Sequence, residues 1–195
     1  MKKIFLKTIV LPLIFLPALG VASEAENHRI DPGKIVSFII GDWNNDGGLD
    51  RAILVAPENE DHDVGLYIFF QGDANDSALE IFKPNLVWSG SLGGTMPSLS
   101  ITPSGSLQVS SQNQAIGRSR WAQKLTIAYR NKHFVVAGYT YDSYDTLDLS
   151  AGFSCDVNLL TGRGIKDKKA FKTSSRAVKL ADWSYNAAPK QCQAQ

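Results

Sequence analysis

Ile35-Val36-Ser37-Phe38-Ile39-Ile40, then Gly41, then Asp42-Trp43-Asn44-Asn45-Asp46-Gly47-Gly48-Leu49-Asp50, then Arg51-Ala52-Ile53-Leu54-Val55-Ala56 form one continuous stretch of the chain. The two outer runs are rich in β-branched residues and too short for helices, so they read as strands. Between them oxygen-bearing side chains fall at loop positions 1, 3, 5 and 9, and glycine falls at position 6. A short loop with that spacing can wrap a hard cation. Asp42, Asn44 and Asp46 converge, Gly47 permits the sharp turn, and Asp50 closes the far side directly or through water. The alternative reading of the same residues is an Asp/Asn/Gly-rich β-turn that holds no metal.

An EF-hand needs flanking helices and a bidentate Glu at loop position 12, where this chain has Ile53. The stretch from Gly41 to Val55 instead resembles the calcium loop of FG-GAP and VCBS-type β repeats, D-x-N-x-D-G-x-x-D. The resemblance implies calcium, with Asp42, Asn44, Asp46 and Asp50 as side-chain ligands and the carbonyl of Gly48 as a further one. The motif occurs once, whereas a propeller needs a copy in each blade. The likeness is local and does not predict a propeller.

Outward from this hairpin the strand signals continue. Val64 to Phe70 alternates with Leu66, Ile68 and Phe70 on one face, and Leu79 to Trp88 is extended with Pro84 inside it, which marks an edge or a break. Ser89 to Ser111 reads as a Gly/Ser-rich loop and a hairpin. Leu125, Ile127 and Tyr129 alternate with polar neighbours, and Asn131-Lys132 turns the chain into His133 to Tyr141. Phe153, Cys155, Val157 and Leu159 give another strand, Lys166-Asp167-Lys168-Lys169 a solvated hairpin tip, and Val178 to Leu180 a last short strand. No amphipathic helix of useful length is present. The expected fold is all-β: a single antiparallel β-sandwich or curled sheet.

Met1-Lys2-Lys3 and the apolar run from Ile9 to Leu19, closing on Gly20-Val21-Ala22, read as a secretory signal peptide. Residues 1–22 are thus the expected leader and 23–195 one secreted β domain, with Ser23 standing where a lipoprotein would have cysteine. Cleavage after Ala22 leaves 17 basic against 19 acidic residues. That balance argues against nucleic acid as a partner, and nothing predicts a membrane anchor. In an oxidising compartment Cys155 and Cys192 read as a structural disulfide.

The chemistry-bearing residues are scattered. His28, His62 and His133 make no zinc motif, no G-x-S-x-G elbow exists, and Gly90-Ser91-Leu92-Gly93 lacks a P-loop lysine. Asp142, Asp145 and Asp148 recur every third residue, which fits a turn, a second cation site or a carboxylate pair of a glycosidase. Tyr139, Tyr141 and Tyr144, with Asp142 and Asp145, form a candidate binding patch, core packing being the other reading of the tyrosines.

The expected protein is periplasmic or secreted, non-catalytic, and binds a protein partner, with a cell-wall-acting enzyme inhibited by an immunity-type protein as one specific case. A calcium-dependent carbohydrate or surface (adhesin-type) module is the alternative. A glycan or peptidoglycan hydrolase is the third.

Overall fold

The computed structural model describes residues 29–59, 63–72, 77–174 and 176–193. The expected leader, His28 and His62 lie outside the described residues. Strands β1 (Ile35–Gly41), β2 (Asp50–Val55), β3 (Val64–Gln71) and β4 (Ser77–Val87) pair in that order as one sheet. A second sheet follows the chain as well, through β5 (Ser98–Ile101), β6 (Leu107–Asn113), β7 (Ser119–Arg130), β8 (His133–Asp145), β9 (Phe153–Asn158), β10 (Arg163–Lys166) and β11 (Lys169–Lys172). The two-residue β12 (Val178–Lys179) adds to β8 at Val136 and Val135. Every pairing is antiparallel, so the all-β expectation holds as two facing meanders.

Local chemistry explains the turns. Asn131 and Lys132 both have positive φ, 50° and 62°, as do Asp167 and Lys168, 47° and 67°. Two left-handed residues in a row make the tight turn whose twist matches that of paired strands. Pro84 lies in the edge strand β4 where the register to β3 shifts between Val64 and Leu66, a place where a missing N–H costs nothing. In β8 the register slips by one residue at Ala137, since Ile127 faces Val136 but Thr126 faces Gly138. The bulge lets Val136 and Tyr139, three apart, both point inward.

The core lies between the sheets. Ala52, Leu54, Leu66 and Ile68 of the first sheet meet Leu107, Val109, Leu125, Ile127 and Val157 of the second, all fully buried. At one end Phe70 packs edge-on against Tyr129, with centroids 5.2 Å apart, and against Phe134 at 5.6 Å. At the other end Trp88 meets Trp121 at 5.5 Å. The sheets are stitched along one side, where Leu99 N–H of β5 donates to Ser37 Oγ of β1 at 3.0 Å.

The C-terminal segment packs down in 3₁₀ turns. Leu180, Trp183, Ala188 and Cys192 are buried, and Trp183 leans on Tyr139 at 5.8 Å. Cys155 and Cys192 are joined in the expected disulfide, with Cα atoms 5.3 Å apart. No helix among the described residues is long and apolar enough to cross a membrane.

Candidate functional site

The loop between β1 and β2 is built by its own polar side chains. Asp42 accepts from Asp46 N–H through Oδ1 (3.2 Å) and from Gly47 N–H through Oδ2 (3.1 Å). Asn44 Oδ1 accepts from the same Asp46 N–H at 3.0 Å, and Asp46 Oδ1 accepts from Gly48 N–H at 2.7 Å. Such side-chain-to-backbone bonds fix a turn that has no ladder of its own. Gly47 sits at φ 85° and Asn45 at φ 60°, left-handed positions that glycine and asparagine tolerate.

Asp50 anchors the loop to the sheet. Its carboxylate is fully buried and accepts from Trp43 N–H at 2.9 Å and from Gln71 N–H of β3 at 3.3 Å. Burial pushes the Asp50 carboxyl above the usual carboxylate range and the nearby Asp46 charge adds to it, while the backbone N–H bonds pull the other way. Gln71 completes the junction by accepting from Leu49 N–H at 3.3 Å.

The donor set fits a hard cation, since oxygen is its only ligand type and Asp46 and Asp50 repel one another. The arrangement itself is closed on internal hydrogen bonds: Asn44 Nδ2 donates to Asp46 Oδ2 at 2.6 Å, so the amide presents nitrogen where a cation would need oxygen. Among the described residues no three Asp, Glu, His or Cys side chains gather closely enough to hold a metal.

The same hairpin carries an unexpected surface. On the outer side of the first sheet Phe38 faces Ile53, Ile53 faces Tyr67, and Tyr67 faces Phe82, a row across all four strands. Tyr67 stacks on Phe82 at 4.2 Å and lies parallel to Phe69 at 6.3 Å. Ile40 and Phe69 flank Arg51 in the next row. Phe38 is 49 % exposed and Ile40 43 %, in positions where a one-sided sheet places polar residues. The Lys34–Glu58 ion pair, 2.5 Å, borders this face.

The structure divides the tyrosine patch. Tyr139 and Tyr141 are core residues, 1 % and 9 % exposed, because the bulge at Ala137 turns that parity of β8 inward. Burial drives the Tyr139 hydroxyl far above its ordinary value. Tyr144 has the opposite parity and is exposed, donating to Gln114 Oε1 at 3.0 Å. Asp142 is exposed on that outer side. Tyr141, Tyr144 and Asp145 do share a cleft with Trp121, Phe153 and Lys166.

Asp145 accepts from Arg118 Nε at 2.6 Å and from the N–H groups of Leu147 and Asp148. The Arg118 bond is the main cause holding its carboxyl below the usual range, and the bonds from Ser150 do the same for Asp148. A glycosidase acid needs the opposite, a raised pKa. The two carboxylates cap the turn after β8. His133 is exposed at the start of its strand.

Reading by residue type missed the apolar outer face and the partners Gln71, Arg118, Phe153 and Lys166. The uninterrupted Phe38-Ile39-Ile40 was the available signal for the face, because a one-sided strand alternates. The cleft partners come from separate strands and have no local signal. Compared with models of protein families, with curated proteins and with solved structures, the chain finds no match.

Proposed function

We propose that this protein is a non-catalytic binding module of the periplasm or cell exterior that docks a protein partner on the outer face of its first sheet. The observation that carries the reading is the row Phe38–Ile53–Tyr67–Phe82, with Ile40 and Phe69 beside it. Its centre is aromatic, and its charged groups, Arg51, Lys34 and Glu58, border it. Protein interfaces have this composition, with aromatics and arginine enriched at the core and lysine and glutamate kept to the rim. A cell-wall-acting enzyme, inhibited by being covered, is the specific partner this reading puts first.

Calcium belongs to the proposal as a staple. Asp42, Asn44, Asp46, Asp50 and the Gly48 carbonyl would hold it, and it would offset the repulsion between the buried Asp50 and Asp46. The loop joins the two strands that carry Phe38, Ile40 and Ile53, so an ion there stiffens half of the docking face. Binding to the folded state alone also raises stability by linkage.

Affinity capture from a cell-envelope extract tests both parts, using the chain from Ser23 onward, with calcium and with chelator. One stoichiometric protein should bind, and Phe38→Asp should remove it while Asp142→Asn keeps it. Capture that Phe38→Asp leaves unchanged would sink the docking face. A melting temperature indifferent to calcium would sink the staple.

A further inference from the structure

We infer that the cleft at the far end of the second sheet binds an acidic oligosaccharide, at a site separate from the proposed docking face. Past Trp88, the inward side of β7, β8 and β9 opens into a cavity of about 580 Å³. A second compartment of about 300 Å³ adjoins it, and Trp121 and Tyr141 line both. Their rings are nearly parallel, 12° apart, with centroids at 6.4 Å. Trp183 and Tyr185 border the second compartment. The groove is therefore elongated, with aromatic rings along its length. Both compartments lie within or at the edge of the roughly 300–1,000 Å³ range of small-ligand sites.

The lining chemistry selects the ligand class. Sugar rings have an apolar C–H face that packs on aromatic rings and hydroxyls that need hydrogen-bond partners. Here Trp121, Tyr141 and Phe153 supply the first; for the second, Ser119 offers a hydroxyl, Ser143 Oγ, which accepts from Phe153 N–H, can still donate, and Ser150 Oγ, which donates to Asp148, can still accept. A repeating chain of such rings suits two compartments with shared aromatic residues.

Charge selects the acid. Lys166 Nζ lies 4.3 Å over the Phe153 ring and has no carboxylate partner among the described residues. Asp145, the carboxylate of the larger compartment, is already matched by Arg118, and Asp63 borders the smaller compartment, away from Lys166. Arg120 borders the cleft too, and its Nη1 is shielded from solvent without a hydrogen-bond partner. The uncompensated charge is positive, and a ligand carboxylate would complete it.

Titration calorimetry and tryptophan fluorescence with tetragalacturonate, the neutral cellotetraose and tetraglutamate test the inference. The uronate should bind saturably and change the tryptophan emission, the neutral tetramer should bind at least tenfold more weakly, and the peptide should not bind. Lys166→Gln should weaken the uronate about tenfold, the scale of one charge-assisted hydrogen bond, with the melting temperature unmoved. Trp121→Ala should abolish binding; Lys166→Gln keeps the test valid if that variant misfolds. Phe38→Asp and chelator should leave the uronate affinity unchanged, which separates this site from the docking face. No saturable uronate binding, equal affinity for the neutral tetramer, preference for the peptide, or indifference to Lys166→Gln would each overturn it.

Discussion

Asp50 holds two chain segments with one carboxylate, the loop through Trp43 N–H and strand β3 through Gln71 N–H. Asp50→Ala leaves both donors without their partner, at about 1–3 kcal/mol for each group, so a loss of about 2–6 kcal/mol is expected in urea unfolding. The pH response has a definite sign. The folded pKa lies above the ordinary 3.8, so between the two values the folded protein keeps a proton the unfolded chain has lost. Asp50's contribution is full below the ordinary pKa and is lost as pH rises through the raised one. Unfolding midpoints measured against pH should show this decline, and Asp50→Asn or added calcium should flatten it. Asp145 and Asp148 behave oppositely: their pKa values are depressed, so their caps persist above the ordinary range and are lost as pH falls below it. Protection against amide exchange at Leu147 and Ser150, taken relative to the intrinsic rate at each pH, should fall at acid pH, and Asp145→Asn should show the lower protection at Leu147 already at neutrality.

At the scale of elements, the hairpins were the most legible part of the chain. Period-two alternation and paired turn residues are local, so β7, β8 and the turn at Asn131-Lys132 follow from the sequence alone. The direction of each face is a different matter. Tyr139 and Tyr141 share a parity that one extra residue, Ala137, turns toward the core, and nothing local announces a bulge. The apolar outer row was hidden for a related reason, since cross-strand neighbours come from four separate segments. Of the candidate site, the loop's internal bonding was readable because donors and acceptors lie within a few residues. Lys166 and Phe153 meet Trp121 only through the register of β9 and β10. The disulfide joins the last 3₁₀ turn to β9, and closing a loop of 37 residues is worth roughly 3–4 kcal/mol in the chain-entropy account. A Cys155→Ala/Cys192→Ala variant should lose about that much in denaturant unfolding, and protease should release the tail after Lys179 first.

The whole molecule is polar in the geometric sense. β3 runs from Val64, whose neighbour Asp63 borders the cleft's second compartment, to Gln71 beside the Asp/Asn loop. Loop and cleft therefore occupy opposite ends of the sandwich, and chelation should lower the melting temperature without altering uronate affinity at the cleft. Among the described residues the four outer strand edges of the two sheets are blunted. β4 carries Pro84 and a register shift, β11 presents Lys169 and Lys172, and β1 and β5 are tied to each other through Ser37 and Leu99. Unprotected edges are how β proteins grow into fibres, one strand recruiting the next. Among the described residues the sheet edges are guarded, while Phe38 and Ile40 stand exposed on the outer face of the first sheet. At high concentration the chain will meet itself face to face, and a contact of that kind is satisfied by a single mate. Crowding should yield closed pairs that fall apart on dilution, and no fibrils.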